Sequence, residues 1–207
     1  MEMLQQERIV NGISVTRLFG TVDLVRKEPG LARFQFRATN RWVNGMHSQA
    51  KVKDFFGAGK EDDTRRGAHV FEEDEPPVLL GNDAGASPTE YVLVALSGCL
   101  TGSLIAHAAA RGIRLDAVES RLEGYLDVRG FLGLTDAVRR GYENIRVTFR
   151  IKSDAPRETL QELVELAQAR SPVFDVVTNP TPVEVTLEAW TPAGQRDRGQ
   201  DKNVDRS

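Results

Sequence analysis

Between Tyr91 and Ala110 the chain carries no formally charged side chain, a run of about twenty positions, which is the length that crosses a bilayer. Gly98 and Gly102 also match the G-x-x-x-G spacing of packed membrane helices. Against a membrane span, Ser97, Cys99, Thr101, Ser103 and His107 dilute the hydropathy. No Lys/Arg asymmetry or pair of aromatic anchors frames the segment, and the chain offers no second span. The expected state is a helix buried all round in a protein core. Its ends are marked. Ser87-Pro88-Thr89-Glu90 supplies an N-cap, a proline at the first helical position and a glutamate at the third, which together form a capping box. Ala110-Arg111-Gly112 supplies a terminal cation and a C-terminal glycine. Gly98, Gly102, Ala106 and Ala110 recur every fourth residue, and such a smooth stripe admits a second helix at close range. That partner is either the next amphipathic helix or the same helix of another subunit.

Around this helix, alternation and helical periods take turns. Residues 33–38 and 48–55 read as short strands joined by a turn at Asn44-Gly45. Residues 57–67 read as a charged loop, 69–71 as a short strand, and Glu72-Glu73-Asp74-Glu75 before Pro76-Pro77 as a solvated turn. Residues 117–128 and 145–151 each place their larger apolar residues on one parity, as half-buried strands do, with a long excursion between them. A second helix is expected from Ser153 or Asp154 to about Arg170, with Leu160, Leu163, Val164 and Ala167 on one face. Ser171-Pro172 then starts a short third helix, and Val183, Val185 and Leu187 mark a final strand. The order is that of an α+β fold. A single domain is expected over residues 13–190, with a tail at 1–12 whose order is left open and a flexible tail at 191–207.

Composition limits the chemistry. Lysine plus arginine number 27 against 30 aspartates plus glutamates, which gives no basic excess for binding a phosphate backbone. Cys99 is the single cysteine and His47, His69 and His107 are the three histidines. An intramolecular disulfide is excluded, and no metal or cofactor site is indicated. Residues 1–8 hold no signal-peptide apolar run, and composition points to the cytoplasm. Cys99 is then either a small apolar filler in the core or a nucleophile. It lies too far from the helix N-terminus for the dipole to activate it, so a reactive thiolate needs a side-chain cation.

The run from Ser87 through Pro88, Glu90, Ala95 and Cys99 to Thr101 resembles the P-x-E-hydrophobic-x-x-x-A-x-x-x-C pattern of one branch of the OsmC/Ohr family. The likeness is loose through 108–112 and returns at Ser171-Pro172-Val173-Phe174-Asp175. The resemblance implies an α+β fold with two β-sheets around central helices in an intertwined homodimer. It also implies reduction of organic hydroperoxides by a reactive cysteine on the central helix. A second cysteine, in a C-P-V motif, resolves the resulting sulfenic acid, and dithiols restore the pair.

Carried over residue by residue, Cys99 takes the peroxidatic position. Glu90 takes that of a glutamate found in one branch, while in the peroxidase branch the acid falls one residue earlier, at Thr89. At ~1.5 Å per residue, Glu90 lies more than ~13 Å along the axis from Cys99 and on the opposite face. It therefore meets a Cys99 only across a dimer interface, or serves as the capping box alone. Ser171 stands where the resolving cysteine is expected, so a two-cysteine cycle is impossible within this chain and an external thiol must complete it. The activating arginine is sought among Arg37, Arg41, Arg139 and Arg140, with Arg41, beside Trp42, the choice. Two functions remain: a one-cysteine hydroperoxide reductase, or a non-catalytic dimer of the same fold that binds a small molecule or serves in stress. His107 is read as a hydrogen-bonded core or interface histidine.

Overall fold

The computed structural model describes residues 7–188. Two short strands, β1 (Ile9–Val10) and β2 (Ile13–Ser14), form a hairpin whose turn residues Asn11 and Gly12 have φ of 51° and 77°. Helix α1 (Val15–Lys27) follows, with Ser14 as its N-cap. Sequence periodicity does not mark this helix: only Val15 is buried, and Gly20 interrupts it.

The next six strands are β3 (Gln35–Phe36), β4 (Thr39–Asn44), β5 (His47–Val52), β6 (Phe55–Gly57), β7 (Lys60–Asp62) and β8 (His69–Glu73). They pair antiparallel as β3-β6-β7 and β4-β5-β8. These two three-stranded sheets form a single meander bent at a seam. Phe36 faces Phe55 and Thr39 faces Lys51. Arg37 and Ala38 therefore stand opposite three residues, Val52, Lys53 and Asp54, as in a β-bulge. The expected strand at 48–55 is split at this bulge. The expected loop at 57–67 is corrected: Ala58 (φ 50°) and Gly59 (φ 80°) turn the chain back, and Lys60–Asp62 pairs with β6. The charged edge strand hides its own signal, because no face of it is apolar.

Helix α2 (Pro88–Ala110) packs against α1, β9 (Ala117–Tyr125), α4 (Arg157–Arg170) and α5 (Pro172–Thr178). Strands β9 and β10 (Asn144–Lys152) form a nine-pair antiparallel ribbon, with Val118, Leu122, Val147, Phe149 and Ile151 on its half-buried face. After β9, Asp127 caps the short α3 (Val128–Phe131), so the strand stops before Val128. The core centres on Leu96, Leu100, Leu104 and Ala108 of α2, with Leu163 and Ala167 of α4.

Three further expectations are corrected. Helix α2 is not buried all round: Val94 is 58% exposed, and Gly98 and Gly102 face outward with nothing within 4 Å of a Cβ built on either. The helix reaches its neighbours in the chain through the leucine row at the same four-residue spacing. Helix α4 starts at Arg157, because Ser153 accepts from Ala155 N–H and donates to Arg114 O at 2.6 Å, closing a local turn first. The final strand is not formed: Val183, Val185 and Leu187 are 80%, 89% and 97% exposed, since no strand among the described residues lies beside them. The expected tail at 191–207 lies outside the described residues, as do residues 1–6.

Candidate functional site

The capping box of α2 forms as its residues dictate. Ser87, 4% exposed, accepts from Glu90 N–H, and Glu90 Oε2 accepts from Ser87 N–H at 2.8 Å. Glu90 is thereby engaged at the helix start. Cys99 sits further along, half-buried, next to the outward-facing Gly98. Among the described residues no hydrogen bond reaches its Sγ, and neither hydrogen bond nor ion pair joins Cys99, Glu90 and Arg41 within one chain. Arg41 lies exposed on β4 opposite Gln49.

The other candidate arginines divide. Arg37 donates to both carboxylate oxygens of Glu61 at 2.8 Å, and Arg140 donates to Asp136 at 2.7 Å. Arg41 and Arg139 enter no ion pair among the described residues. Ser171, 2% exposed, is the N-cap of α5, its hydroxyl accepting from Phe174 N–H at 3.1 Å. A hydroxyl at this position has a structural task that a thiol does poorly, since sulfur is a weak acceptor.

The acidic run before the prolines is not a solvated turn. Asp74 is 1% exposed, and its carboxylate accepts from the backbone N–H of Glu75, Asn82 and Ala84. Burial alone pushes its pKa up, but these three donors and the nearby His47 hold it below the usual carboxylate range. Glu72 accepts from His47 at 2.7 Å and from Gln49 at 2.8 Å, and both bonds pull its pKa down. Tyr91 of α2 donates to Glu72 O at 2.8 Å, tying sheet to helix. Burial pushes Glu75 up, and the charges of Glu90 and Asp74 add to it. Tyr142 donates to Thr89 O at 2.9 Å. Its phenol is pushed up by burial and by Glu90, against the opposing effect of that hydrogen bond. Asp74, Glu75 and Tyr142 therefore cluster about the start of α2. Sequence reasoning passed over all three, although four consecutive acids before a Pro-Pro were a signal for Asp74. His107 is pushed down by burial and by the cations Arg111 and Arg170.

An α+β chain built on one apolar helix, with a single thiol beside its open glycine face, defines a narrow class. The sequence profile of the OsmC-like protein family matches residues 81–186, just over half of the chain. The protein belongs to that family. A comparison with curated proteins gives no match. Among solved structures, the fold resembles an OsmC-like protein from Mycoplasma pneumoniae, with 14% identity over 69% of this chain and 86% of that one, at a TM-score of 0.53. An organic hydroperoxide resistance protein OsmC from Legionella pneumophila gives 14% identity, 70% and 89% coverage, and a TM-score of 0.51. A putative osmotic stress induced and detoxification response protein from Psychrobacter arcticus gives 12%, 67% and 85%, and 0.51. Helix α2 meets the length and composition of a membrane span, with a mean hydropathy of 1.8. Here it is the central helix of the family's α+β fold.

Proposed function

We propose that the protein is a cytoplasmic, homodimeric, thiol-dependent hydroperoxide reductase in which Cys99 is the only redox-active residue. The observation that carries this reading is the position of Cys99 in the family motif, half-buried beside the open Gly98–Gly102 face. The Cys99 thiolate attacks a peroxide oxygen, the O–O bond breaks, and the alcohol leaves with a proton, so that Cys99 becomes a sulfenic acid. An external thiol condenses with the sulfenic acid, releasing water and leaving a mixed disulfide. A second thiol equivalent then attacks this disulfide and frees Cys99. The sum is one hydroperoxide and two thiols to one alcohol, one water and one disulfide. In this reading Arg41 holds the thiolate, and Glu90 serves the Cys99 of the other subunit.

The dimer is supported by the open face of α2, where Gly98 and Gly102 point outward, and by the exposed alternating side chains Val183, Val185 and Leu187.

Steady-state consumption of cumene hydroperoxide with an external dithiol tests the activity. Turnover that vanishes in Cys99→Ala supports it, and turnover no faster than that variant ends it. The second reading, a binding protein without turnover, is favoured by Ser171 in place of the resolving cysteine. Stable ligand capture beside an unreactive Cys99 would establish it.

A further inference from the structure

The chain contains two Val-Asn-Gly runs, Val10-Asn11-Gly12 and Val43-Asn44-Gly45. Both share the same intrinsic chemistry. Glycine has no Cβ to shield its amide nitrogen, so that nitrogen can reach the side-chain amide carbon of the asparagine before it. What differs between the two runs is how the fold holds each one.

Asn11 is clamped. Its Nδ2 donates to Ile113 O and its Oδ1 accepts from Leu115 N–H, each at 2.9 Å. The residue is half-buried, and the two bonds tie the β1–β2 turn to the chain leaving α2. Swinging the amide carbon toward Gly12 N breaks both bonds.

Asn44 has no such clamp. It is exposed at the end of β4, and among the described residues no hydrogen bond holds its side-chain amide. Trp42 Nε1 donates to Gly45 O at 3.0 Å, which leaves the Gly45 N–H open. Trp42 faces Ser48 and Asn44 faces His47, so Val43 is an extra residue in the ladder. This bulge separates Asn44 from the rest of the sheet. Beyond it a single pair, Asn44 with His47, closes the Gly45-Met46 turn. Opening that pair disturbs little else, and such local openings are the least costly in a fold.

We propose that Asn44 is a site of self-modification, deamidated through attack by Gly45 N, while the clamp on Asn11 protects the matching run. Gly45 N forms a bond to Asn44 Cγ, and the Cγ–Nδ2 bond breaks. Ammonia leaves with the proton that Gly45 N gives up. Water then opens the resulting succinimide at either carbonyl, which leaves an aspartyl or an isoaspartyl residue at position 44. Either product places a new carboxylate opposite His47, whose ring already meets Glu72 at 2.7 Å. The isoaspartyl form also lengthens the hairpin backbone by one methylene. The modification is independent of the peroxide chemistry of Cys99.

Incubation of the full chain in mildly alkaline buffer tests this, followed by peptide mass mapping with fragmentation that separates isoaspartyl from aspartyl residues. Asn44 should lose its amide about tenfold or more faster than Asn11, the factor that two retained hydrogen bonds of ordinary strength impose. In guanidinium chloride the two asparagines should react alike. Equal rates in the folded protein overturn the proposal. So does an Asn44 that keeps its amide in the folded protein while the unfolded chain loses it. A contrast that persists in guanidinium chloride assigns the difference to flanking residues and overturns the part given to the fold.

Discussion

Asp74 shows how one side chain organises a long connection. Its buried carboxylate gathers three backbone N–H donors and so fixes the loop that delivers the chain to Ser87. Because the folded pKa values of Asp74 and Glu72 are depressed, their stabilisation is complete above the unfolded carboxylate pKa. It is lost as pH falls through the lower folded values. Thermal unfolding followed by circular dichroism should show this acid-side loss of stability, with a shallower slope in Asp74→Asn. Glu75 has the opposite sign. Its raised pKa means that its charge opposes folding at neutral pH, and Glu75→Gln should raise the unfolding temperature there. Ser171→Ala removes an N-cap and should cost about 1 kcal/mol in denaturant unfolding. Ser171→Cys restores the resolving position that the family resemblance implies. Peroxide treatment of this variant should produce an intramolecular disulfide with Cys99, visible by non-reducing peptide mass mapping; its absence would show that the two positions do not meet.

The elements divide by how much of their stability is local. Helix α2 was legible from its capping box, its charge-free length and its terminal glycine, and α5 from Ser171-Pro172, because caps and prolines act within a few residues. The β9–β10 ribbon was legible because one face is apolar at period two. Helix α1 and strand β7 were not, since neither presents a clean apolar face. The alternating pattern at 183–187 forms no strand, because alternation alone cannot supply a neighbour to pair with and none stands beside it among the described residues. The four-residue repeat in α2 contains two rows. Leu96, Leu100, Leu104 and Ala108 make the contacts within the chain, and the small-residue row faces outward at Gly98 and Gly102. Around the candidate site, the capping role of Glu90 was legible. The carboxylates of the preceding loop depend on long-range folding and were not. The two rows predict different mutational outcomes. Leu104→Ala, at a fully buried position, should cost about 2–5 kcal/mol. A Cβ built at Gly102 has no neighbour within 4 Å outside its own helical backbone among the described residues, so Gly102→Leu should leave the fold intact while shifting sedimentation from dimer toward monomer. A Gly102→Leu protein that remains fully dimeric would contradict the helix-face interface.

At the scale of the whole molecule, the described residues show an uncovered glycine face on α2, a thiol without a resolving partner, and candidate activating groups that one chain does not bring together. In the proposed mechanism, a second copy against the open face of α2 addresses the first and third of these, and an external thiol the second. Composition had already narrowed the redox chemistry to one sulfur; the structure adds that the position of the missing sulfur is occupied by a buried helix cap. The most direct test of this account is rapid mixing of the intact protein with cumene hydroperoxide, followed by sulfenic-acid trapping and mass analysis of the Cys99 peptide. Quick, stoichiometric trapping at Cys99, reversed by added thiol, is the expected result. A Cys99 that stays reduced while the peroxide persists would contradict it.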